Sequence, residues 1–559
     1  MRLLVLIAVL VVVASCAHPP QQQPGVERPV APRVSGAVVH ARVWTGDPAR
    51  PWAAAVGWAD DRIVVVGTDE EVLRAVPPGV TPIDAHGAMA VPGFIDAHVH
   101  MIDGGAMLTS VHLHEARSKA ELVATVQEYA RSVAPGTWIT GGGWDHTHWG
   151  GMLPDRSWLD AMTPDNPVWI ERVDGHMALA NSAALRAAGV TRATPDVAGG
   201  VIVRDPAGEP TGLFRDNALE LVGRAVPPAS GPARDRALEA AMTYLAGNGV
   251  TSVTSIGSWD DVATFERARD RGVMRTRINA VVPLRTWARL RARIEEKGRG
   301  DVWLRVGGLK GFADGSLGAR TAWMLSPFSD AEAGVGLSVT PEPELYASVL
   351  AADRAGLAVM IHAIGDRANR TVLDVYERVA REDGPRDRRF RIEHAQHLSA
   401  VDVPRFGGLG VIASMQPYHC IDDGRWAEAM IGAARAKTSY AFRQLLDTRA
   451  RVAFGSDWPV APASPLEGIY AAVTRRTLDD AHPDGWIPEQ RISADEALRA
   501  YTVGAAYAAF QEADKGTLAT GKLADITIVD RDVTTASADS LRAARVVATL
   551  VGGRVVYPR

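Results

Sequence analysis

Cysteine and lysine are the scarce residues of this 559-residue sequence. Two cysteines, Cys16 and Cys420, exclude a disulfide-dense scaffold and leave a conventional large core to hold the fold. Lysine occurs only as Lys119, Lys297, Lys310, Lys437, Lys515 and Lys522, so arginine supplies 54 of the 60 basic side chains. A GC-rich genome accounts for that bias, yet a lysine inside a strand then calls for a reason. Net charge is small as well, 60 basic against 65 acidic groups for −5, which removes the electrostatic case for a nucleic-acid partner. The length exceeds one ordinary core, so at least two packed units are expected.

What is present begins with residues 1–16, MRLLVLIAVLVVVASC, where Arg2 precedes an eleven-residue apolar run from Leu3 to Val13. That run is too short to span a bilayer as a permanent helix and has the proportions of a secretory signal. Val13-Ala14-Ser15-Cys16 is similar to a bacterial lipoprotein box, in which cleavage precedes the cysteine and the thiol is lipidated. The expectation is an exported protein of the cell envelope, lipid-anchored through Cys16, with residues 17–33 as a flexible Pro/Gln-rich tether. Cys420 then has no intramolecular disulfide partner.

From about Val34 short β-branched runs broken by glycine read as strands, and the last 44 residues repeat that texture. Residues 34–91 and 516–559 are therefore expected to form one composite β-sandwich from both termini. Between them, within 92–515, eight strand candidates recur, most followed by arginine- and alanine-rich helical stretches. They are GFIDAHVH (93–100), VTSVTSI, RINAVV, VGGLKGF, LAVMIHA, FRIEH, GVIASMQ and RVAFGSD. Eight strands alternating with helices predict an α/β fold, a (β/α)₈ TIM-like barrel with reactive residues at the C-terminal strand ends. The long gap after the first strand predicts an insertion over about 115–235, rich in Trp, Gly and Pro, covering the barrel mouth.

His98 and His100 end the first strand, and an i, i+2 pair points both imidazoles to one face. Two other H-x-H triplets, His112/His114 and His146/His148, follow no continuous apolar run and read as surface or lid histidines. Other strand ends supply His362, His394 and Asp457. Imidazole and carboxylate donors without thiolates suit zinc, manganese or iron.

PGFIDAHVH with separate strand-end histidines and a late aspartate resembles the amidohydrolase superfamily of metal-dependent hydrolases. GWD (143–145), DGHMALANSAAL (174–185), KGFADGSLGARTA (310–322), HAIGDRA (362–368), EHAQ (393–396), SMQPYH (414–419) and GSDWPV (455–460) resemble its family 3, which includes N-substituted formamide deformylase-like proteins. The resemblance implies two divalent ions, zinc first among them. His98, His100 and Asp457 would hold one and His362 and His394 the other, with Lys310 carboxylated to a bridging carbamate. It implies a metal-activated hydroxide attacking a carbonyl, with Asp457 passing the proton to a leaving amine. His176 and His419 lie in family-like motifs and are candidates to hold substrate or oxyanion, against a structural hydrogen-bonding role. Asp314, Arg320, Asp366 and Arg367 are expected to support ligands or pair strand with helix, while Trp144 and Trp149 either wall a pocket or pack. The expected reaction is hydrolysis of a C–N bond in a small molecule, an amide, formamide or acylated amine. Alternatives are an ester, cyclic amide or phosphate-type bond at the same site, or a metal-binding lipoprotein without turnover; a homodimer is the assembly considered.

Overall fold

The computed structural model describes residues 33–108, 110–227, 231–330 and 334–558. The signal segment, Cys16 and the tether to residue 32 lie outside the described residues.

Eight strands form one sheet in which every neighbour runs parallel. They are β1 (Phe94–Val99), β2 (Val250–Ile256), β3 (Arg277–Pro283), β4 (Leu304–Phe312), β5 (Ala358–Ala363), β6 (Arg391–His394), β7 (Ile412–Met415) and β8 (Val452–Phe454). These are the eight runs read as strands above, and the architecture is the expected TIM-like barrel. β1 and β2 are buried along their whole length, as strands covered on both faces must be. The covering helices are amphipathic. In Asp366–Asp383 the buried side chains include Ala368, Val372, Val375, Tyr376 and Val379, the three-and-four spacing of one helical face.

The barrel closes where β1 meets the segment just past β8. Asp457 N donates to the His98 carbonyl and His100 N to the Trp458 carbonyl, each at 2.7 Å. Gly455 permits this approach, because a Cβ there would lie 2.6 Å from His98 N.

Both ends of the chain share a six-stranded sheet. Ile526–Val529 runs antiparallel to Met89–Pro92 and joins Arg42–Trp44 and Trp52–Ala53 to Val546–Val551 and Arg554–Tyr557. A four-stranded sheet of Gly36–Val39, Ala55–Ala59, Arg62–Gly67 and Ile83–Asp84 packs on it through Val38, Val56, Trp58, Ile526 and Leu550. Between β1 and β2 a separate six-stranded mixed sheet is built from strands between Val111 and Asp216. Among the described residues no helix is long and apolar enough to cross a membrane.

One ion pair fastens sandwich to barrel. Arg277, at the start of β3, forks onto Asp525 at 2.8 and 3.0 Å, and Gly552 N donates to the same carboxylate at 2.8 Å. Both side chains are at most 5% exposed. Removing one partner strands a buried charge, so Asp525→Ala should cost about 3–5 kcal/mol. The urea midpoint of the variant checks this, and a loss below about 1 kcal/mol, the scale of an exposed pair, would contradict it.

Candidate metal centre

The seam that closes the barrel carries the first group of donors. His98 ends β1 with its side chain fully buried, His100 follows the strand, and Asp457 follows β8. Asp457 Oδ1 lies 3.2 Å from His98 Nε2 and 3.3 Å from His100 Nε2. Ligand atoms of these three residues fall within 4.8 Å of one another, and so do those of His394, His419 and Asp457. Asp457 thus belongs to both groups. Burial alone would raise its pKa, but His98, His100 and His394 hold the carboxyl well below the usual range. Asp457 and His394 have φ of 61° and 76°, a conformation disfavoured for side-chain-bearing residues that persists only where surroundings over-determine it.

Beneath the donors lies a buried polar support. His98 Nδ1 donates to Glu393 Oε2 at 2.5 Å, and Arg391 clasps the same carboxylate at 2.7 and 3.0 Å. Arg391 also donates to the Ala97 carbonyl and to Ser414 Oγ, both at 2.8 Å. Burial pushes the Glu393 carboxyl up, yet Arg391 and the His98 hydrogen bond outweigh it and keep the group ionised. An ionised acceptor at Nδ1 fixes the proton there and turns the Nε2 lone pair toward Asp457, the arrangement by which a second residue orients a metal-binding histidine. Asp96 stitches the other side, accepting from His98 N at 3.1 Å, Ser456 N at 2.9 Å and Ser456 Oγ at 2.6 Å.

Lys310 reaches this centre from β4. Its side chain is buried, and Nζ lies 3.4 Å from His98 Nε2. Among the described residues no carboxylate lies within ion-pair distance of it. Burial lowers the amine to about 8, with Glu393 and Asp457 opposing and Arg391 adding to the shift. On β5, His362 stands with its ring centroid 4.5 Å from that of His394, and its Nε2 is 3.1 Å from the Gly315 carbonyl oxygen. Burial, with His176 and Lys310 nearby, keeps His362 neutral, its pKa well below the ordinary value.

The mouth above is a cavity of about 620 Å³, walled by β1, β4 and β5 ends and by the insertion. His176 comes from the insertion and sits 5.0 Å, ring to ring, from His362. Its Nδ1 donates to Asp216 at 2.7 Å, and although burial lowers its pKa, Asp216, Asp174 and Asp314 outweigh that and raise it above the ordinary value. His419 stacks parallel to His394 with centroids 6.5 Å apart, and its buried Nε2 has no hydrogen-bond partner.

All the strand-end candidates converge, and the structure distributes them unevenly. His98, His100 and Asp457 form one tight group and His394, His419 and Asp457 another, while the His362 ring stands 4.5 Å from that of His394. Asp314 accepts from the backbone of Trp323, Ile364 and Gly365, stitching the loops after β4 and β5. Asp366 accepts from Leu325 N, Arg320 pairs with Asp330, and Arg367 lies over Trp323. Trp144 is fully buried with Nε1 on the Ile170 carbonyl, and Trp149 packs on Trp158, so both are packing residues. His146 is buried and accepts from Arg172 Nε, an internal rather than surface position. Cys420 is a buried thiol pushed up to about 11, hence inert. Glu393, Arg391 and Asp96 have no role in the sequence reading. Their signal is charge inside strands that are otherwise buried.

Residues 81–557 match the model of the amidohydrolase family. The chain belongs to that family. The amidohydrolase is 42% identical over 93% of its length to the protein LONG AFTER FAR-RED 3 of Arabidopsis thaliana, covering 91% of that protein. It is 29% identical over 93% of its length to the N-substituted formamide deformylase of Arthrobacter pascens, covering 98% of it. Its fold matches that of an uncharacterized metal-dependent hydrolase from Pyrococcus horikoshii with a TM-score of 0.74 and 28% identity, covering 90% of this chain and 99% of that one. The amidohydrolase is thus a metal-dependent hydrolase, and its donors fit divalent ions. They are imidazoles and one carboxylate, one of them, His419 Nε2, buried without a partner.

A buried unpaired lysine has a thermodynamic signature. With a pKa of about 8 in the folded chain against 10.5 in the unfolded one, charging Lys310 opposes folding fully below pH 8 and not at all above 10.5. The penalty is on the order of 3 kcal/mol. Metal-free Lys310→Met should therefore melt higher than metal-free wild type at pH 7. That gain should shrink as pH rises from 8 to 10.5, and a variant less stable at pH 7 would contradict this reading.

Proposed function

We propose that this amidohydrolase cleaves the C–N bond of an amide, formamide or acylated amine. The observation that carries the reading is the shared position of Asp457, within reach of His98, His100 and His394 at the cavity wall, beside a buried amine without a carboxylate partner. Two divalent ions, zinc before manganese or iron, would be held by His98, His100 and Asp457 and by His394 with His362 or His419. Carboxylated Lys310 would lie between them. Such ions supply an activated water and a polarised carbonyl.

The chain's own groups do the rest. Asp457, kept ionised by three imidazoles, accepts a proton at its carboxylate and returns it to the leaving nitrogen. His176, its pKa raised by Asp216, lines the cavity and donates a hydrogen bond to the developing oxyanion. Uncharged Lys310 is the form that captures CO₂, and burial favours it. Asp103 and Glu171 line the same cavity without an ion-pair partner among the described residues, and Glu171 is pushed up to about 7 by burial and by Asp103. Carboxylates so placed favour a substrate whose nitrogen donates hydrogen bonds, which supports an amine product over an alcohol. The name of the Arthrobacter pascens relative points the same way. The exported, lipid-anchored placement through Cys16 belongs to the same proposal and rests on residues 1–16 alone.

A panel of N-substituted formamides, simple amides and matched esters, assayed with metal-loaded protein, tests the bond class. Faster release of amine than of alcohol is expected; turnover confined to esters would overturn it. Asp457→Asn should lose at least about 100-fold in kcat while keeping most of its metal, and unaltered turnover would remove Asp457 from the proton path.

A further inference from the structure

The opposite end of the barrel holds a second cavity, of about 250 Å³, that the reaction does not use. Arg305, at the start of β4, lies five residues before Lys310, roughly 16 Å along the strand. Met360 and Gly308 line this floor, each two residues below His362 and Lys310 on the same strand face. Ile256, Val281 and Met360 pack together between the two cavities.

The floor is rich in guanidinium and short of carboxylate. Among the described residues Arg299 donates only to carbonyls, Gly356 at 2.8 Å and Gly307 at 3.4 Å. The half-buried Arg305 guanidinium has no hydrogen bond or ion pair among the described residues, with Asp514 and Glu512 acting on it only at longer range. Arg388 is 7% exposed, donates to Asp353 at 3.0 Å and to the Gly384 carbonyl at 2.7 Å, and leaves Nη2 buried without a partner. One carboxylate, Asp387, lines the cavity, and it and the nearby acids are paired. Asp353 is shared by Arg386 and Arg388, Asp387 and Glu512 pair with Arg389, and Asp514 pairs with Arg62.

Half-buried guanidinium groups without counter-charge are costly to keep, and their planar forks match tetrahedral oxyanions. Glycines 307, 308 and 356 leave the walls bare of side chains. We propose that the barrel floor binds a phosphate-class dianion, inorganic phosphate or the terminal phosphate of a small metabolite, between Arg299 and Arg305. The cavity admits a phosphate with a short appendage. Because the N-terminal end of such barrels serves stability rather than chemistry, the anion acts on folding and leaves turnover alone.

The test is thermal unfolding of the full chain in sodium phosphate against sodium chloride at matched ionic strength, with glycerol phosphate as a second arm. Since phosphate can also meet metal ions, the comparison is repeated with metal-free His98→Ala. Phosphate should raise Tm in wild type and in His98→Ala alike, and Arg305→Gln should abolish the rise and weaken phosphate binding tenfold or more by calorimetry. Arg305→Lys should retain part of it, and Arg299→Gln serves as the second lesion should Arg305→Gln misfold. A stronger response to glycerol phosphate identifies a metabolite, and an equal one the inorganic ion. No rise in wild type, or the same rise in Arg305→Gln and Arg299→Gln, would overturn the proposal.

Discussion

The hydrogen bond from His98 to Glu393 is the constraint on which the centre depends. It joins β1 to β6 across the barrel interior, fixes the ring and its tautomer, and is sustained by Arg391 from two residues below. A carboxylate with no exposure is expensive unless it is paired and fully hydrogen-bonded. Arg391 meets that condition by forking onto Glu393 while anchoring itself to Ala97 and Ser414. The outcome is a rigid imidazole whose free nitrogen faces Asp457, placed by strands rather than loops.

The closure of the barrel enforces the same geometry from outside. Backbone hydrogen bonds between residues 98–100 and 457–458 make the final joint of the sheet, so the pieces that complete the fold also bring His98, His100 and Asp457 together. Folding and site assembly are one event there. The left-handed backbone at His394 and Asp457 marks where this over-determination is spent on function. At the other end of the same strands the chemistry is different, with guanidinium groups and a glycine-lined hollow, which separates reaction from stability along one set of strands.

The eight strands were legible as apolar-rich runs, four of them ended by a polar residue, because both faces of a barrel strand are covered. His98, His100, His362, His394 and Asp457 were legible for the same reason, standing where an apolar run stops. Lys310 stood out because lysine is rare. What supports them was hidden, since Glu393 meets His98 across 295 positions and Asp216 meets His176 across 40, distances that no local pattern encodes. The insertion's mixed sheet was less legible, because a strand such as 139–144 is broken by three glycines and the sheet mixes parallel with antiparallel pairs. Arg172 was hidden in the same way: it is buried between Asp145 and Asp174, an ion-pair network inside the insertion.

The most direct measurement is the equilibrium affinity of the chain for its metal, read by competition with a chelator, in wild type and in Glu393→Gln. Glutamine keeps the shape of the side chain but withdraws the charge that sets the His98 tautomer. Affinity should fall about 10- to 100-fold, the usual cost of losing a residue that orients a metal ligand. Unchanged affinity would contradict the account, because the site would then stand without the interaction on which it is built.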